Sequence, residues 1–198
     1  MTVFLVDDEA SVRKAVGRLL RSEGFEVAPF GSSEEFLNAH DPDAPGCLLL
    51  DMSMPGLDGL GLQKALTERG SVLPIIFLTG RADVPMCAQA MKRGAADFLT
   101  KPVNDMELIA SIRRALEQDR IARKGREHFD EIHRRIATLT PREHEVLDHI
   151  VTGQLNKQIA ADLGIVEKTI KVHRGRVMEK MRVTSVAELV RLVDEAKS

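Results

Sequence analysis

The amino-acid sequence predicts an α/β domain followed by an all-α domain. In residues 1–120, short apolar segments alternate five times with segments whose apolar residues recur at helical spacing. This alternation is typical of a doubly wound parallel sheet that is covered by helices on both faces. After residue 138, the sequence contains four further helical segments. We therefore expect a five-stranded parallel α/β domain at 1–120, a helical linker at 121–137 and a four-helix domain at 138–198.

Five apolar segments are the predicted strands of the sheet. CLLL at 47–50 and IIFL at 75–78 are continuous apolar runs, which is the pattern of strands buried on both faces. The predicted strands are 2–6, about 25–30, 46–51, 73–79 and 95–100.

Start and stop signals mark the helices that follow these strands. We expect the first helix to end at Gly24, because glycine readily adopts the backbone conformation that ends a helix. Ser32 and Glu35 have the spacing of a capping box at the start of the second helix, and Asn104 and Glu107 have the same spacing at the start of the fifth.

Polar residues follow four of the predicted strands at the point where each strand ends. Asp7, Asp51, Thr79 and Lys101 come after apolar runs, and Asp8 follows Asp7. Since the carboxyl ends of parallel strands share one edge, we expect these side chains to meet where the strand order reverses. Carboxylates suit a hard divalent ion such as Mg²⁺, while hydroxyl and ammonium groups suit phosphoryl oxygens. The residues therefore predict a Mg²⁺-assisted phosphoryl acceptor.

The two parts of the chain differ in net charge. Residues 1–120 hold 13 Lys and Arg against 18 Asp and Glu, a net charge of −5, whereas residues 121–198 hold 15 against 12, a net charge of +3. A positive surface on a small domain suggests a polyanionic partner. Because charged runs also occur on solvated helix faces, the charge alone does not identify that partner.

The last helical segments contain the parts of a helix-turn-helix. Thr140 caps a helix that has Pro141 at its first position. A short helix at 156–163 and a longer basic helix at about 167–181 follow, with Gly164 in the turn between them. In a helix-turn-helix the second of two such helices enters the major groove of DNA.

Four motifs in the first 120 residues together resemble the receiver domain of two-component response regulators. They are VDDE at 6–9, Asp51 with the MPG and DG that follow it, Thr79-Gly80 and Lys101-Pro102. The resemblance implies a flavodoxin-like receiver in which Asp51 accepts a phosphoryl group from a sensor histidine kinase. It also implies that Thr79 and Lys101 bind the phosphoryl oxygens and that Mg²⁺ is the cofactor. The implied metal-binding residues are Asp8, Asp51 and the backbone carbonyl of Ser53, with Asp7 nearby.

Phe98 lies three residues before Lys101 on the same predicted strand. An aromatic residue in a strand is most often part of the core. The resemblance to receivers implies instead a switch whose rotamer follows the movement of Thr79. In that case the surface at about 84–116 transmits phosphorylation, usually as dimerisation.

The final 61 residues, 138–198, resemble the LuxR-type four-helix domain of the FixJ and NarL subfamily, including its StyR-like members. The segments LTPRE, NKQIA and TIKVHRGRVMEKM carry the resemblance. In the long basic helix, the spacing of Ile170, Val177 and Met181 directs them toward the core.

The resemblance also implies which residues of the basic helix bind DNA. Lys171 and Val172 are expected in the groove, and Arg174 and Arg176 on bases or phosphates. The candidate DNA-binding residues are Lys168, Thr169, Lys171, Val172, Arg174 and Arg176. Lys157, Thr169 and Lys180 are expected on phosphates or in solvent, and His173 has either a structural or a DNA-binding role.

Gly175 departs from the basic residue that some members of this group carry at the same position. Glycine destabilises a helix interior by roughly 1 kcal/mol relative to alanine. Either it permits a close approach of the backbone to DNA or it merely removes one contact.

These observations predict a phosphorylation-controlled transcriptional regulator that is not an enzyme. Its expected partners are a sensor histidine kinase, double-stranded promoter DNA, a second copy of the chain on phosphorylation, and RNA polymerase. The sequence has no apolar run near the ~20 residues that span a bilayer, and its N-terminus enters a strand without a basic leader. We therefore expect no membrane association and a cytoplasmic location.

Two other functions stay open on the residues. A Mg²⁺-dependent phosphohydrolase would use Asp7 or Asp8 as its nucleophile, but it predicts an Asp-x-Asp arrangement where the chain has Asp7-Asp8-Glu9. In the second alternative, the receiver acts only as a protein-interaction module. The acceptor set of Asp51, Thr79 and Lys101 disfavours this function.

Overall fold

The chain forms two compact units, Met1–Arg123 and Lys124–Ser198, in the computed structural model. The structure describes residues 1–80 and 84–197, and it gives no side-chain surroundings for Val84. Within those residues, every helix is too short or too polar to cross a membrane.

The first unit is a five-stranded parallel sheet with the strand order β2-β1-β3-β4-β5. This arrangement confirms the predicted doubly wound α/β class. The strands are β1 (Thr2–Val6), β2 (Glu26–Phe30), β3 (Gly46–Asp51), β4 (Ile75–Thr79) and β5 (Asp97–Thr100). The helices between them are α1 (Ala10–Ser22), α2 (Ser33–Ala39), α3 (Gly59–Glu68) and α4 (Val84–Lys92), and α5 (Asp105–Ala137) follows β5.

The central strands are buried on both faces, as their continuous apolar runs predict. Every residue of β3 and β4 is buried. Because successive side chains of a strand point to opposite faces, Leu48 and Leu50 pack in one hydrophobic cluster while Cys47 and Leu49 pack in another. The sheet therefore has a core on each side.

The start of α2 is only half of the predicted capping box. The hydroxyl of Ser32 accepts a hydrogen bond from the Glu35 N–H at 3.1 Å. The Glu35 carboxylate, however, accepts from the N–H of Gly31 at 2.6 Å, one residue before the N-cap. At α5, the Asn104 side chain accepts from the N–H groups of both Met106 and Glu107, so that cap is present.

Two carboxylates attach the first part of α5 to the sheet. Asp97 accepts hydrogen bonds from the Ser111 hydroxyl at 2.6 Å and from Arg114 at 2.7 Å. Asp119 is fully buried and accepts from the N–H of Gly46 at 3.0 Å and from Arg123 at 2.9 Å. The helix continues through residue 123, where the first unit ends.

The apolar residues of the predicted linker do not share one environment. Ile132 and Ile136 pack in the core of the second unit. Ile121 and Phe129 are 60% and 40% exposed. Only the two residues nearest the C-terminal end of the linker therefore pack in a core.

The second unit contains four more helices, which confirms the predicted all-α class. They are α6 (Pro141–Val151), α7 (Asn156–Asp162), α8 (Glu167–Met181) and α9 (Val186–Glu195). Gly164, with φ of +65°, makes the turn between α7 and α8. Ile170, Val177 and Met181 are fully buried, as their spacing predicted.

A buried ion pair joins the start of α6 to the end of α8. Thr140 and Glu143 form a complete capping box. The Glu143 side chain is 3% exposed and also accepts a hydrogen bond from the Lys180 ammonium at 2.6 Å. Lys180 donates a further bond to the carbonyl of Thr138 at 2.9 Å. The Lys180 hydrogen bond is the main reason that the pKa of Glu143 falls from 4.5 to about 2.

We predict that Glu143→Gln lowers the free energy of unfolding of the second unit by roughly 1.5–3 kcal/mol near pH 7, because it removes the ionic acceptor of Lys180. The measurement is an NMR-detected urea titration that follows amide signals of α6 and α8. A depressed carboxyl pKa stabilises the fold above the unfolded value of 4.5, and this contribution disappears as the pH falls toward about 2. The wild type should therefore lose more stability on acidification than the variant. Exposed Glu145→Gln is the control, and equal losses in the two variants would contradict the assignment.

Candidate functional site

The predicted polar residues meet at the carboxyl edge of the sheet. The strand order reverses between β1 and β3, so Asp7 and Asp51 lie at the topological switch point, where open α/β sheets bind ligands. Thr79 ends β4 beside this pair, and Lys101 follows β5. Four residues that are far apart in the sequence thus share one edge.

The Lys101 ammonium lies between two carboxylates. Its Nζ atom is 2.7 Å from Oδ2 of Asp7 and 3.3 Å from Oδ1 of Asp51. The Lys101 side chain is 20% exposed, whereas both carboxylate side chains are almost completely buried. Ion pairs in so little water are poorly screened, so this lysine sets the local electrostatics.

Asp7, Asp8 and Asp51 form a carboxylate cluster. One oxygen of each residue lies within 4.8 Å of the others. Both oxygens of Asp7 are already engaged, Oδ2 by Lys101 and Oδ1 by the N–H of Glu9 at 2.9 Å. Asp8, by contrast, is exposed to solvent.

The pKa values of the central pair shift with their environment. Burial raises the pKa of Asp51 above its usual value, against the positive charge of Lys101 and with help from the negative charge of Asp7. Burial opposes the charged form of Lys101, but its hydrogen bond to Asp7 and the charges of Asp7 and Asp51 together raise its pKa. Lys101 therefore stays a cation, and the ionised form of Asp51 carries a cost that a further cation would offset.

Two residues that support the cluster were missed in the sequence analysis. Arg13 reaches back from α1 and donates hydrogen bonds to the carbonyls of Asp7 at 2.6 Å and Asp8 at 2.9 Å. A Cβ atom on Gly59 would lie 2.7 Å from the Asp51 carbonyl, so only glycine fits there. Gly59 stands in the DG step of the loop, but no sequence signal indicated the contact of Arg13.

Ser53, Thr79 and Phe98 lie around the cluster. Ser53 is exposed, and its backbone N–H acts to lower the pKa of the Asp51 carboxyl, against the effect of burial. Thr79 is buried at the end of β4. Phe98 is half-buried and packs against the core cluster that contains Phe77. This position agrees with a core contact and leaves the switch role as a prediction.

Helix α8 presents an outward surface opposite its buried residues. Lys168, Lys171, Val172 and Arg176 are exposed, and Val172 keeps 49% of its surface in solvent. Thr169 is half-buried. These exposed side chains give the second unit a surface with cations and an apolar group side by side.

Two other polar residues of α8 contact neighbouring helices, and a third has a buried ring nitrogen. Arg174 is half-buried and donates a hydrogen bond from Nη1 to Oδ1 of Asn156 on α7 at 3.0 Å. Lys180, expected in solvent or on a phosphate, is paired with Glu143 instead. Nδ1 of His173 is buried and has no hydrogen-bond partner among the described residues. Lys157, on α7, is exposed as expected.

The residues of the two units have the chemical groups needed to bind a divalent cation, an oxyanion and a polyanion. Hard carboxylate oxygens suit a divalent cation such as Mg²⁺, and the exposed Asp8 together with Asp51 fits that donor set. The Lys101 ammonium beside Asp51 suits an oxyanion attached at that carboxylate. On the second unit, exposed cations around Val172 suit a polyanion with apolar groups.

Comparison with known proteins identifies a family in each unit. Residues 3–113 match the response regulator receiver domain, and residues 137–193 match the bacterial regulatory proteins of the luxR family. Nodulation protein W of Bradyrhizobium diazoefficiens is 45% identical over 190 residues, which cover 96% of this chain and 84% of that protein. The transcriptional regulatory protein FixJ of Azorhizobium caulinodans is 44% identical over 194 residues, which cover 97% and 91%.

A solved structure is similar over almost the whole chain. The response regulator StyR, known from a low-resolution structure, is 45% identical, has a TM-score of 0.92 and covers 98% of both chains. A receiver domain implies a kinase as partner, and a LuxR-type domain implies DNA binding. The chain therefore belongs to the two-component response regulators that join a receiver to a LuxR-type DNA-binding domain, and it is a transcription regulator of that phosphorylation-controlled family.

Proposed function

We propose that Asp51 accepts a phosphoryl group from a sensor histidine kinase in the presence of Mg²⁺, and that phosphorylation promotes dimerisation and promoter binding. The observation that carries this proposal is the Lys101 ammonium, which lies 3.3 Å from Asp51. An ammonium in this position neutralises charge on a phosphoryl group attached to the carboxylate.

Asp51 is the best placed nucleophile of the three carboxylates. Both oxygens of Asp7 are engaged, and Asp8 is exposed and two residues beyond the end of β1. An oxygen of Asp51 forms the new bond to phosphorus while the phosphorus–nitrogen bond to the kinase histidine breaks and the imidazole takes the electron pair. Because the Asp51 carboxylate has no proton to lose, the step needs no general base. The same geometry disfavours a phosphohydrolase that uses Asp7.

Mg²⁺ would be held by Asp8, Asp51 and the backbone carbonyl of Ser53, with Asp7 in support. When bound, it supplies positive charge to the transferring phosphoryl group. The chain's own contribution is the fixed loop, since Arg13 holds the carbonyls of Asp7 and Asp8 and Gly59 lets the start of α3 pack closely against the Asp51 carbonyl.

The response to phosphorylation would pass through Thr79 and Phe98. Thr79 is buried beside the cluster, and Phe98 is half-buried one strand away, so a shift of the hydroxyl toward the phosphoryl group changes the space open to the ring. The surface at about 84–116 would then form the dimer. The dimer acts in the cytoplasm and contacts RNA polymerase at the promoter.

The DNA interface would be the outward surface of α8. Lys168, Lys171, Val172 and Arg176 are exposed there, and Thr169 lies at its border. Arg174 donates one of its hydrogen bonds to Asn156, and this contact joins α8 to α7. Only its remaining donors can therefore reach DNA. The cations position the duplex, and Val172 contacts thymine methyl groups.

We predict that acetyl phosphate with Mg²⁺ converts the wild type to a dimer that binds DNA more tightly, and that Asp51→Asn abolishes both effects because an amide cannot accept the phosphoryl group. Size-exclusion chromatography with light scattering measures the mass, and DNA binding is scored on the same samples. A treated Asp51→Asn protein that dimerises like the wild type would remove the proposed switch.

We predict that Lys101→Met raises the affinity for Mg²⁺ by roughly tenfold at low salt, because it removes a cation that competes for Asp7 and Asp51. Isothermal titration calorimetry measures the affinity. The same variant should lose its DNA-binding response to acetyl phosphate. Lys64→Met, which removes an exposed charge from the same unit, is the control, and an unchanged or weaker affinity in Lys101→Met would count against the proposed metal site.

We predict that Lys168→Ala weakens DNA binding and lowers the slope of log affinity against log salt concentration by about 1, because one phosphate contact is lost. Fluorescence anisotropy with a labelled duplex at several salt concentrations measures this slope. Lys64→Ala removes an equal charge from the first unit and should leave the slope unchanged. Equal slopes in all three proteins would place Lys168 outside the interface.

A further inference from the structure

The outward side of α8 carries a row of four exposed residues. Lys168, Val172, Gly175 and Glu179 are spaced by four, three and four residues, so they share one face of the helix. The buried residues Ile170, Val177 and Met181 lie on the opposite face. Gly175 is therefore near the centre of the surface that points away from the core.

Nothing within the described chain requires glycine at position 175. A Cβ atom added there would meet no atom within 4 Å, and the residue has an ordinary helical φ. Gly164, by contrast, has a positive φ, and Gly59 lies against the Asp51 carbonyl. Glycine is among the least favourable residues in a helix interior. Its presence thus costs stability without a packing or backbone reason in the second unit.

We propose that Gly175 is a specificity-determining residue of the DNA interface. The absence of a side chain lets the backbone of α8 approach the base edges in the major groove more closely than any other residue would allow. This inference rests on the proposed function of α8. A local rule that is broken without internal compensation is expected at a functional surface.

The charges along the row support an approach that depends on shape. Lys168 and the neighbouring Lys171 attract phosphates to the first half of α8. Glu179, one turn beyond Gly175, is exposed and carries the opposite charge, which repels phosphates and accepts hydrogen bonds from the amino group of cytosine. Arg176, beside Gly175, is exposed and also attracts phosphates, but the row itself carries no positive charge after Lys168, so a close fit at position 175 has a clear role.

The test compares Gly175→Ala with Gly125→Ala in the full-length chain. A pool of random-sequence duplexes is first selected with acetyl phosphate-treated wild type, and affinities are then measured for the selected duplex and for a scrambled duplex of the same composition. Gly125 is the matched control, because it also lies inside an exposed helix and an added Cβ would meet no atom within 4 Å. Thermal unfolding is recorded for every protein.

Gly175→Ala should bind the selected duplex roughly tenfold more weakly while its affinity for the scrambled duplex stays within about twofold. Its Tm should rise, since alanine favours the helix. Gly125→Ala should show a raised Tm and unchanged affinities. The opposite signs of stability and specific binding separate a groove contact from a structural defect.

Three results would overturn the inference. If Gly175→Ala binds the selected duplex as tightly as the wild type, position 175 does not determine specificity. The proposed function then stands. An equal loss in Gly125→Ala assigns the effect to helix stiffness. A wild type that selects no sequence overturns both the inference and the proposed DNA interface.

Discussion

The close approach of Asp7 and Asp51 at the carboxyl edge of the sheet is the constraint on which the rest of the site depends. Two ionised carboxylates in a buried position repel each other, and the Lys101 ammonium between them offsets that repulsion. The strand order supplies the geometry, because β1 and β3 are neighbours although α1, β2 and α2 lie between them in the sequence. The parallel sheet thus brings an acidic pair and a lysine together at one edge.

In the second unit, polar contacts between side chains join the helices. Glu143 and Lys180 tie the start of α6 to the end of α8, and Arg174 ties α8 to α7. These contacts use polar side chains on the inner side of α8, so its outer side remains exposed. Side chains on the inner side of α8 thus hold its exposed surface in place.

Much of the fold followed from periodicity, and much of the site followed from chain position. The continuous apolar runs of β3 and β4 and the spacing of Ile170, Val177 and Met181 predicted their burial correctly, because burial depends on local pattern. The location of Asp7, Asp51, Thr79 and Lys101 at strand ends predicted their common edge. The contacts of Arg13, the partner of Lys180 and the brace between Arg174 and Asn156 were not predictable, because each depends on side-chain reach between elements that only the folded chain brings together.

The most direct test of this account is to identify the residue that acquires the phosphoryl group. The chain is treated with acetyl phosphate and Mg²⁺, the acyl phosphate is reduced with borohydride, and peptide mass spectrometry locates the homoserine that forms from a phosphorylated aspartate. The account predicts modification at Asp51 alone, with far less in Lys101→Met. Modification at Asp8, or at no aspartate, would contradict it.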